Sequence, residues 1–205
     1  MDNSTEPVYS RNVVEFVAVA NEYCKYAEHA SEIKGDEMLR IMQRLLPLLY
    51  LKASLLPALE SFFEDGNEKF ITESDWFKVH DILTEKLGTA NDFLDVSEEK
   101  SVELDVPVLS SLAENMADMY QDLKNFLLLY QTGTVEVMND AVWECRMNYE
   151  NYWGQKLVNS LRAIHKFIYS GEEIQRKENN NDDNERRNTS DWFISRRQKE
   201  FRGDE

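Results

Sequence analysis

The sequence contains little glycine, proline or cysteine, and each shortage excludes a class of protein. Seven glycines and four prolines occur in 205 residues, which is too few for the frequent turns of an all-β fold. The two cysteines, Cys24 and Cys145, form no CxxC motif, and each falls on the apolar stripe of a predicted helix. We therefore predict two buried thiols in a reducing compartment rather than a disulfide.

Signals for export and for membrane insertion are also missing. The N-terminus, MDNSTEPVYS, is polar and acidic and lacks the basic and apolar regions of a secretory signal. The longest apolar stretch, residues 45–59, is interrupted by Lys52 and two prolines, so it is too short and too broken to span a bilayer. We expect a cytoplasmic protein with no membrane contact.

Basic residues are in the minority, and this narrows the choice of partner. The formal net charge is −16, and residues 171–205 carry 10 acidic and 8 basic side chains, which leaves −14 to residues 1–170. Such a body repels bare nucleic acid and anionic lipid, since both are bound through basic surfaces. A protein partner with a basic surface fits the charge better.

What the sequence does contain is helical periodicity. Apolar residues recur at helical spacing in five segments, near residues 10–31, 36–63, 72–88, 105–133 and 134–169. The pattern predicts an all-α fold, a single bundle of about five mostly antiparallel helices. We expect residues 45–63 to form the most buried helix, with a kink or break at Pro47 and at Pro57.

The composition changes near residue 171, which divides the chain into three predicted parts. Residues 1–171 form the helical bundle domain, and residues 172–189 form a charged, Asn-rich linker that should not pack. Residues 190–205 follow as an aromatic and basic tail. The tetrapeptide SDWF occurs at residues 190–193 and again at residues 74–77, where it opens the third predicted helix.

Motifs for catalysis and cofactor binding are absent from the sequence. None of the three histidines, His29, His80 and His165, lies in a Glu-x-x-His or HExxH motif. No GxSxG nucleophile motif or glycine-rich phosphate loop occurs either. We predict no cofactor, and we favour a protein that is not an enzyme.

Two rows of acidic residues leave one catalytic alternative open. Each row has three acids spaced by four on a predicted helix: Glu114, Asp118 and Asp122 on the fourth, and Glu136, Asp140 and Glu144 on the fifth. Such rows can hold a hydrated magnesium ion with substrate phosphates, as in a metal-dependent phosphohydrolase. Both rows lie roughly opposite the apolar stripes, however, so we expect two solvated faces that do not converge.

Candidate partner-binding residues occur in the tail and in the body. The tail residues are two aromatic and two basic side chains, Trp192, Phe193, Arg196 and Arg197. The body residues are Tyr120, Asp122, Trp143 and Trp153, since aromatic side chains suit interfaces. Two alternatives stay open: the body rings fill the bundle core, or the tail straps across its own body.

Four stretches of the sequence resemble a known family. They are residues 8–24 (VYSRNVVEFVAVANEYC), 45–53 (LLPLLYLKA), 119–126 (MYQDLKNF) and 143–157. Over about residues 8–171 the chain resembles an uncharacterised bacterial family of all-helical domains of unknown function. The resemblance implies an all-α bundle in a bacterial cytoplasm. It implies no activity and supplies no catalytic residues.

These observations lead to one hypothesis for function and one alternative. The hypothesis is a non-catalytic protein–protein interaction or adapter module that uses its acidic body and its Trp-Phe tail. The alternative is a metal-dependent phosphohydrolase that uses the two acidic rows.

Overall fold

The computed structural model describes residues 6–64, 66–94 and 109–175, and these residues form an all-α bundle as predicted. The α-helices are α1 (Arg11–Glu28), α2 (Gly35–Ser54), α3 (Glu73–Leu87), α4 (Leu112–Tyr130), α5 (Val135–Asn148) and α6 (Gly154–Ser170). A π-helical turn, Tyr149–Trp153, joins α5 to α6 without a loop. If α5, the π-helical turn and α6 are counted as one continuous rod, the described residues contain five helical rods, which is the predicted number.

Helix α4 is the central and most buried helix of the bundle. This corrects the expectation that residues 45–63 form the most buried helix. It packs against α1, α3, α5 and α6 and buries apolar side chains around most of its circumference. Helix α2 packs against α1 and α6, while Leu48, Leu51 and Leu55 stay exposed. Helix α2 also runs through Pro47 without a break and ends at Ser54, three residues before Pro57. Residues 55–64 and 66–72 form an irregular segment, whereas residues 55–63 were expected to be helical.

Helix α3 begins where the sequence places it. The Thr72 hydroxyl accepts a hydrogen bond from the Asp75 N–H, and the Asp75 carboxylate accepts one from the Thr72 N–H, which together form a capping box. Gly88 follows the helix with φ of 49°, a backbone conformation that other residues rarely adopt. Both ends of α3 are therefore determined by local sequence.

Helix α4 begins later than predicted because a short strand precedes it. Strand β2 (Leu109–Ser111) pairs antiparallel with β1 (Asp92–Leu94), with Phe93 opposite Ser110. Ser111 then caps α4, since its hydroxyl accepts a hydrogen bond from the Glu114 N–H. Residues 105–108, where the fourth predicted helix begins, lie outside the described residues.

The π-helical turn explains the glycine inside the fifth predicted helix. The N–H of Gly154 donates to the carbonyl oxygen of Tyr149, five residues earlier, which widens the helix by one residue. A Cβ atom at Gly154 would lie 2.4 Å from that oxygen and 3.0 Å from the Tyr149 ring. Glycine therefore permits a close approach that any side chain would disturb.

After α6 the chain turns back onto the bundle. Gly171 has φ of 80°, Ile174 packs against the core, and the Thr89 N–H donates to the carbonyl oxygen of Gln175 at 3.0 Å. The sequence assigns residues 172–175 to a linker that should not pack, yet they are fixed beside the C-terminal end of α3. The rest of the predicted linker and the tail lie outside the described residues.

Two other expectations concern the thiols and the membrane. Cys24 and Cys145 are free and buried, as predicted, and burial raises the pKa of both thiols. Among the described residues, none of the helices combines the length and the apolar character needed to cross a bilayer.

Candidate functional site

The acidic rows lie against neighbouring elements, which corrects the expectation of two solvated faces. Asp118 is 8% exposed, Asp140 2% and Glu144 8%, while Glu114 and Asp122 are half-buried and only Glu136 is exposed. The row on α4 is covered because this helix has neighbours on several sides. The row on α5 is covered by the irregular segment that follows α2, of which periodicity had assigned residues 55–63 to helix.

Asp118 is the polar centre of the bundle. One carboxylate oxygen accepts a hydrogen bond from the Trp76 indole Nε1 at 2.8 Å. The other accepts from the Tyr152 hydroxyl at 2.5 Å and from the Lys156 Nζ at 2.6 Å. One side chain on α4 therefore connects α3, the π-helical turn and α6.

Asp122, the next carboxylate on α4, and Glu144 on α5 are held by amides and a lysine. Asp122 accepts a hydrogen bond from the Asn148 side chain at 3.1 Å. Glu144 accepts from the Asn67 side chain at 3.0 Å and forms an ion pair with Lys69. The acidic surface thus continues from α4 onto α5 and onto the irregular segment.

Asp140 anchors the irregular segment to α5. Its carboxylate accepts hydrogen bonds from the N–H groups of Phe62 and Phe63 at 2.7 and 2.9 Å and from the Ser61 hydroxyl at 2.9 Å. Burial raises the pKa of Asp140, but these bonds and one from Asn139 outweigh that effect and lower it. The carboxylate of Asp140 therefore stabilises the fold by satisfying backbone donors of the irregular segment.

Asn125 anchors the same segment to α4. Its side-chain oxygen accepts hydrogen bonds from the N–H groups of Phe70 and Ile71 at 2.8 and 3.0 Å. The Gln121 amide donates to the Ile71 carbonyl oxygen at 3.3 Å. Polar side chains of α4 and α5 therefore replace the backbone hydrogen bonds that an irregular segment cannot make within itself.

Aromatic rings border the acidic row on both sides. On α3, Trp76 is 1% exposed and stacks on His80 with ring centroids 4.7 Å apart. Phe77 packs edge-on against Trp76 and remains 38% exposed. On the other side, the Lys156 Nζ lies 4.9 Å from the centroid of the Tyr152 ring, and burial followed by the charge of Asp118 raises the pKa of Tyr152.

We call this surface the acidic–aromatic face and define it by six residues, Trp76, Phe77, Glu114, Asp118, Asp122 and Tyr152. Its chemistry suits cations and aromatic rings, because carboxylates and ring faces both attract positive charge. In residues 6–64, 66–94 and 109–175, no three His, Cys, Asp or Glu side chains are grouped as a metal ion requires.

The body residues predicted to bind a partner have different positions. Trp153 is fully buried and Tyr120 is 5% exposed, and the Tyr120 hydroxyl donates to Glu28 at 3.1 Å. These two rings fill the bundle, which is the alternative that the sequence left open for the body rings. Trp143 and Asp122 are half-buried, and Asp122 belongs to the acidic–aromatic face.

The predicted tail residues, Trp192, Phe193, Arg196 and Arg197, lie outside the described residues. Two residues around Asp118, Trp76 and Lys156, were not predicted from the sequence. Two signals pointed to them: the SDWF repeat contains Trp76, and Tyr152 and Lys156 are spaced by four, which places them on one helix face.

The fold and this face define a single-core helical bundle with a polar centre on its middle helix. The chain belongs to the family described as Domain of unknown function (DUF5063), whose model matches residues 7–170. It is also similar to the crystal structure of protein BF1032 from Bacteroides fragilis. The two chains are 35% identical, with a TM-score of 0.73 over 83% of this chain and 100% of that one. No curated protein matches the chain.

Proposed function

We propose that this chain is a non-catalytic protein-binding module. Its acidic–aromatic face would bind a basic segment of a partner protein that also carries an aromatic side chain. The observation that carries the proposal is the environment of Lys156. Its ammonium group lies 2.6 Å from a carboxylate oxygen of Asp118 and 4.9 Å from the centre of the Tyr152 ring.

This arrangement is an internal example of the recognition that we propose. A cation is held at once by a carboxylate and by an aromatic ring, and each of the two groups attracts positive charge. Glu114 and Asp122 extend the same row by one turn in each direction and are half-buried. A lysine or arginine of a partner would meet the same two kinds of group beside Phe77, which is 38% exposed.

The overall charge supports the same partner chemistry. A formal net charge of −16 attracts basic proteins over a distance of about 8 Å at physiological salt. It also accelerates their association and disfavours acidic competitors. The row on the central helix adds the local specificity that a diffuse charge lacks.

Copurification with charge-matched variants tests the proposal. Full-length chain would be recovered from the lysate of its native cells as wild type, as Glu114→Gln/Asp122→Asn, and as Glu37→Gln/Glu136→Gln. Both variants lose two negative charges, but Glu37 and Glu136 are exposed and lie outside the acidic–aromatic face.

A partner that binds this face should be depleted at least tenfold by the first variant and retained by the second. Its recovery should fall as salt increases, because the contact is ionic. Equal recovery with both variants would refute the role of the face, provided that both variants melt within a few degrees of the wild type.

A further inference from the structure

We infer that residues 190–201 of this same chain dock on the acidic–aromatic face when no partner is bound. The inference rests on the proposed function, because it names an occupant for that face. Three observations support it: the point at which the described chain ends, the length that follows, and the chemistry of residues 190–201.

The described chain ends beside α3, the helix that carries Trp76 and Phe77 of the acidic–aromatic face. Gly171 turns the chain after α6, Ile174 packs against the core, and Gln175 forms hydrogen bonds in both directions with Thr89. Gly88 and Gly35 leave room for this return, since a Cβ atom on Gly88 would lie 2.2 Å from the Gln175 carbonyl oxygen. The last described residue is therefore fixed at the C-terminal end of α3.

The chain that follows is long enough to reach the face. Fourteen residues, 176–189, separate Gln175 from Ser190, and a coil of this length has a root-mean-square span of about 20 Å. Phe77 precedes Leu87 by ten residues of α3, which is about 15 Å at the rise of an α-helix. The distance along α3 thus lies within the ordinary span of this connection.

Residues 190–201 carry the side chains that the face attracts. Trp192 and Phe193 supply rings, and each precedes an arginine by four residues, Arg196 and Arg197. Tyr152 precedes Lys156 by the same spacing, and that ring and ammonium group already lie beside Asp118. Within residues 192–202 there are four basic side chains and one acidic one, opposite in sign to the row on α4.

Tethering makes such docking effective even when it is weak. A short connection gives the tail an effective concentration of about 1 mM at the face. A partner with a similar segment must then displace the tail. Only a partner that binds the face more strongly than the tethered tail can therefore occupy it. Loss of the two rings would remove this requirement.

Site-directed cross-linking in the full chain tests the inference. One cysteine replaces Gln198, and the second replaces either Gln121, half-buried on α4 and adjacent in sequence to Asp122 of the face, or Val14, which is 52% exposed on α1. Cys24 and Cys145 are buried and should not compete. A short bis-maleimide then reports how often the two engineered thiols meet within one molecule.

Docking predicts that the Gln121→Cys/Gln198→Cys pair cross-links within the monomer at least tenfold faster than Val14→Cys/Gln198→Cys. Adding Trp192→Ala/Phe193→Ala should reduce the faster rate to that of the Val14 pair. Equal rates in the two pairs would overturn the inference, and so would covalent dimers as the main product.

This experiment separates the inference from the proposed function. In one outcome, cross-linking is rapid but no partner is recovered whose binding depends on Glu114 and Asp122. This outcome would support the docked tail and overturn the proposed function. In the other outcome, partner recovery depends on Glu114 and Asp122 but the two cysteine pairs cross-link at equal rates. This outcome would support the proposed function and overturn the docked tail.

Discussion

Replacing Asp118 by asparagine is the perturbation that tests the described centre of the bundle most severely. The amide has the same shape as the carboxylate but no charge, and one of its two oxygens becomes an NH₂ donor. Three donors now point at the side chain, the Trp76 indole, the Tyr152 hydroxyl and the Lys156 ammonium group, at 2.5–2.8 Å. At least one donor loses its acceptor, because Asn keeps a single oxygen.

The loss can be worked out from these contacts. A hydrogen bond to a charged group contributes about 1.5–3 kcal/mol net, and an unsatisfied buried donor costs about 1–3 kcal/mol. The Lys156 side chain is 24% exposed, so water partly replaces its ion pair. We expect Asp118→Asn to lower the free energy of unfolding by about 3 kcal/mol.

Urea unfolding at pH 7 measures this loss. With an m value of about 2 kcal/mol per molar urea, the midpoint should fall by about 1.5 M. Glu114→Gln is the matched control, since Glu114 lies one turn earlier on the same row but is half-buried, and we expect a loss below about 0.5 kcal/mol. A loss below about 1 kcal/mol for Asp118→Asn, or equal losses for both variants, would refute the reasoning.

Three further predictions concern other parts of the bundle. Asp140→Asn should lower the free energy of unfolding, measured with urea, by about 2–4 kcal/mol. Glu136→Gln, at an exposed position, should lower it by less than about 0.5 kcal/mol. Folding lowers the pKa of Asp140. The contribution of its carboxylate to stability is therefore complete above about pH 4 and is lost as the pH falls further. Asp140→Asn should flatten the acid limb of a plot of melting temperature against pH. Gly154→Ala should lower the melting temperature by several degrees despite alanine's helix propensity, since its Cβ meets the Tyr149 carbonyl oxygen; an unchanged or higher value would contradict the π-helical turn. Cys24 and Cys145 should react with a thiol reagent only in denaturant, and rapid reaction in buffer would contradict their burial.

Periodicity predicted the fold well because helices are local structures. The five helical rods, the capping box at Thr72 and the burial of both cysteines follow from residues close together in sequence. The irregular segment 55–72 did not follow, because polar side chains more than 50 residues away hold it in place. The sequence pattern of Leu45–Phe63 is apolar enough for a helix, and only those tertiary contacts favour another conformation.

The candidate site was predicted in part. The row Glu114, Asp118, Asp122 was found by its spacing, but its burial was not, because an apolar stripe indicates the neighbours on one side of a helix only. Helix α4 has neighbours on several sides, so its polar row also meets other helices. The grouping of Trp76 with Asp118 depends on the packing of α3 on α4, which no spacing within one helix reveals.

Calorimetric titration with one peptide tests most directly whether the acidic–aromatic face recognises basic aromatic segments. The titrant is a synthetic peptide of residues 188–203, and the full-length protein carries Trp192→Ala/Phe193→Ala so that its own tail does not compete. If the face recognises such segments, the peptide should bind, and its binding should weaken as salt rises. Binding should be lost when Glu114→Gln/Asp122→Asn is added to the protein, but kept with Glu37→Gln/Glu136→Gln. No binding, or binding that is equal in the two charge-matched backgrounds, would contradict this recognition.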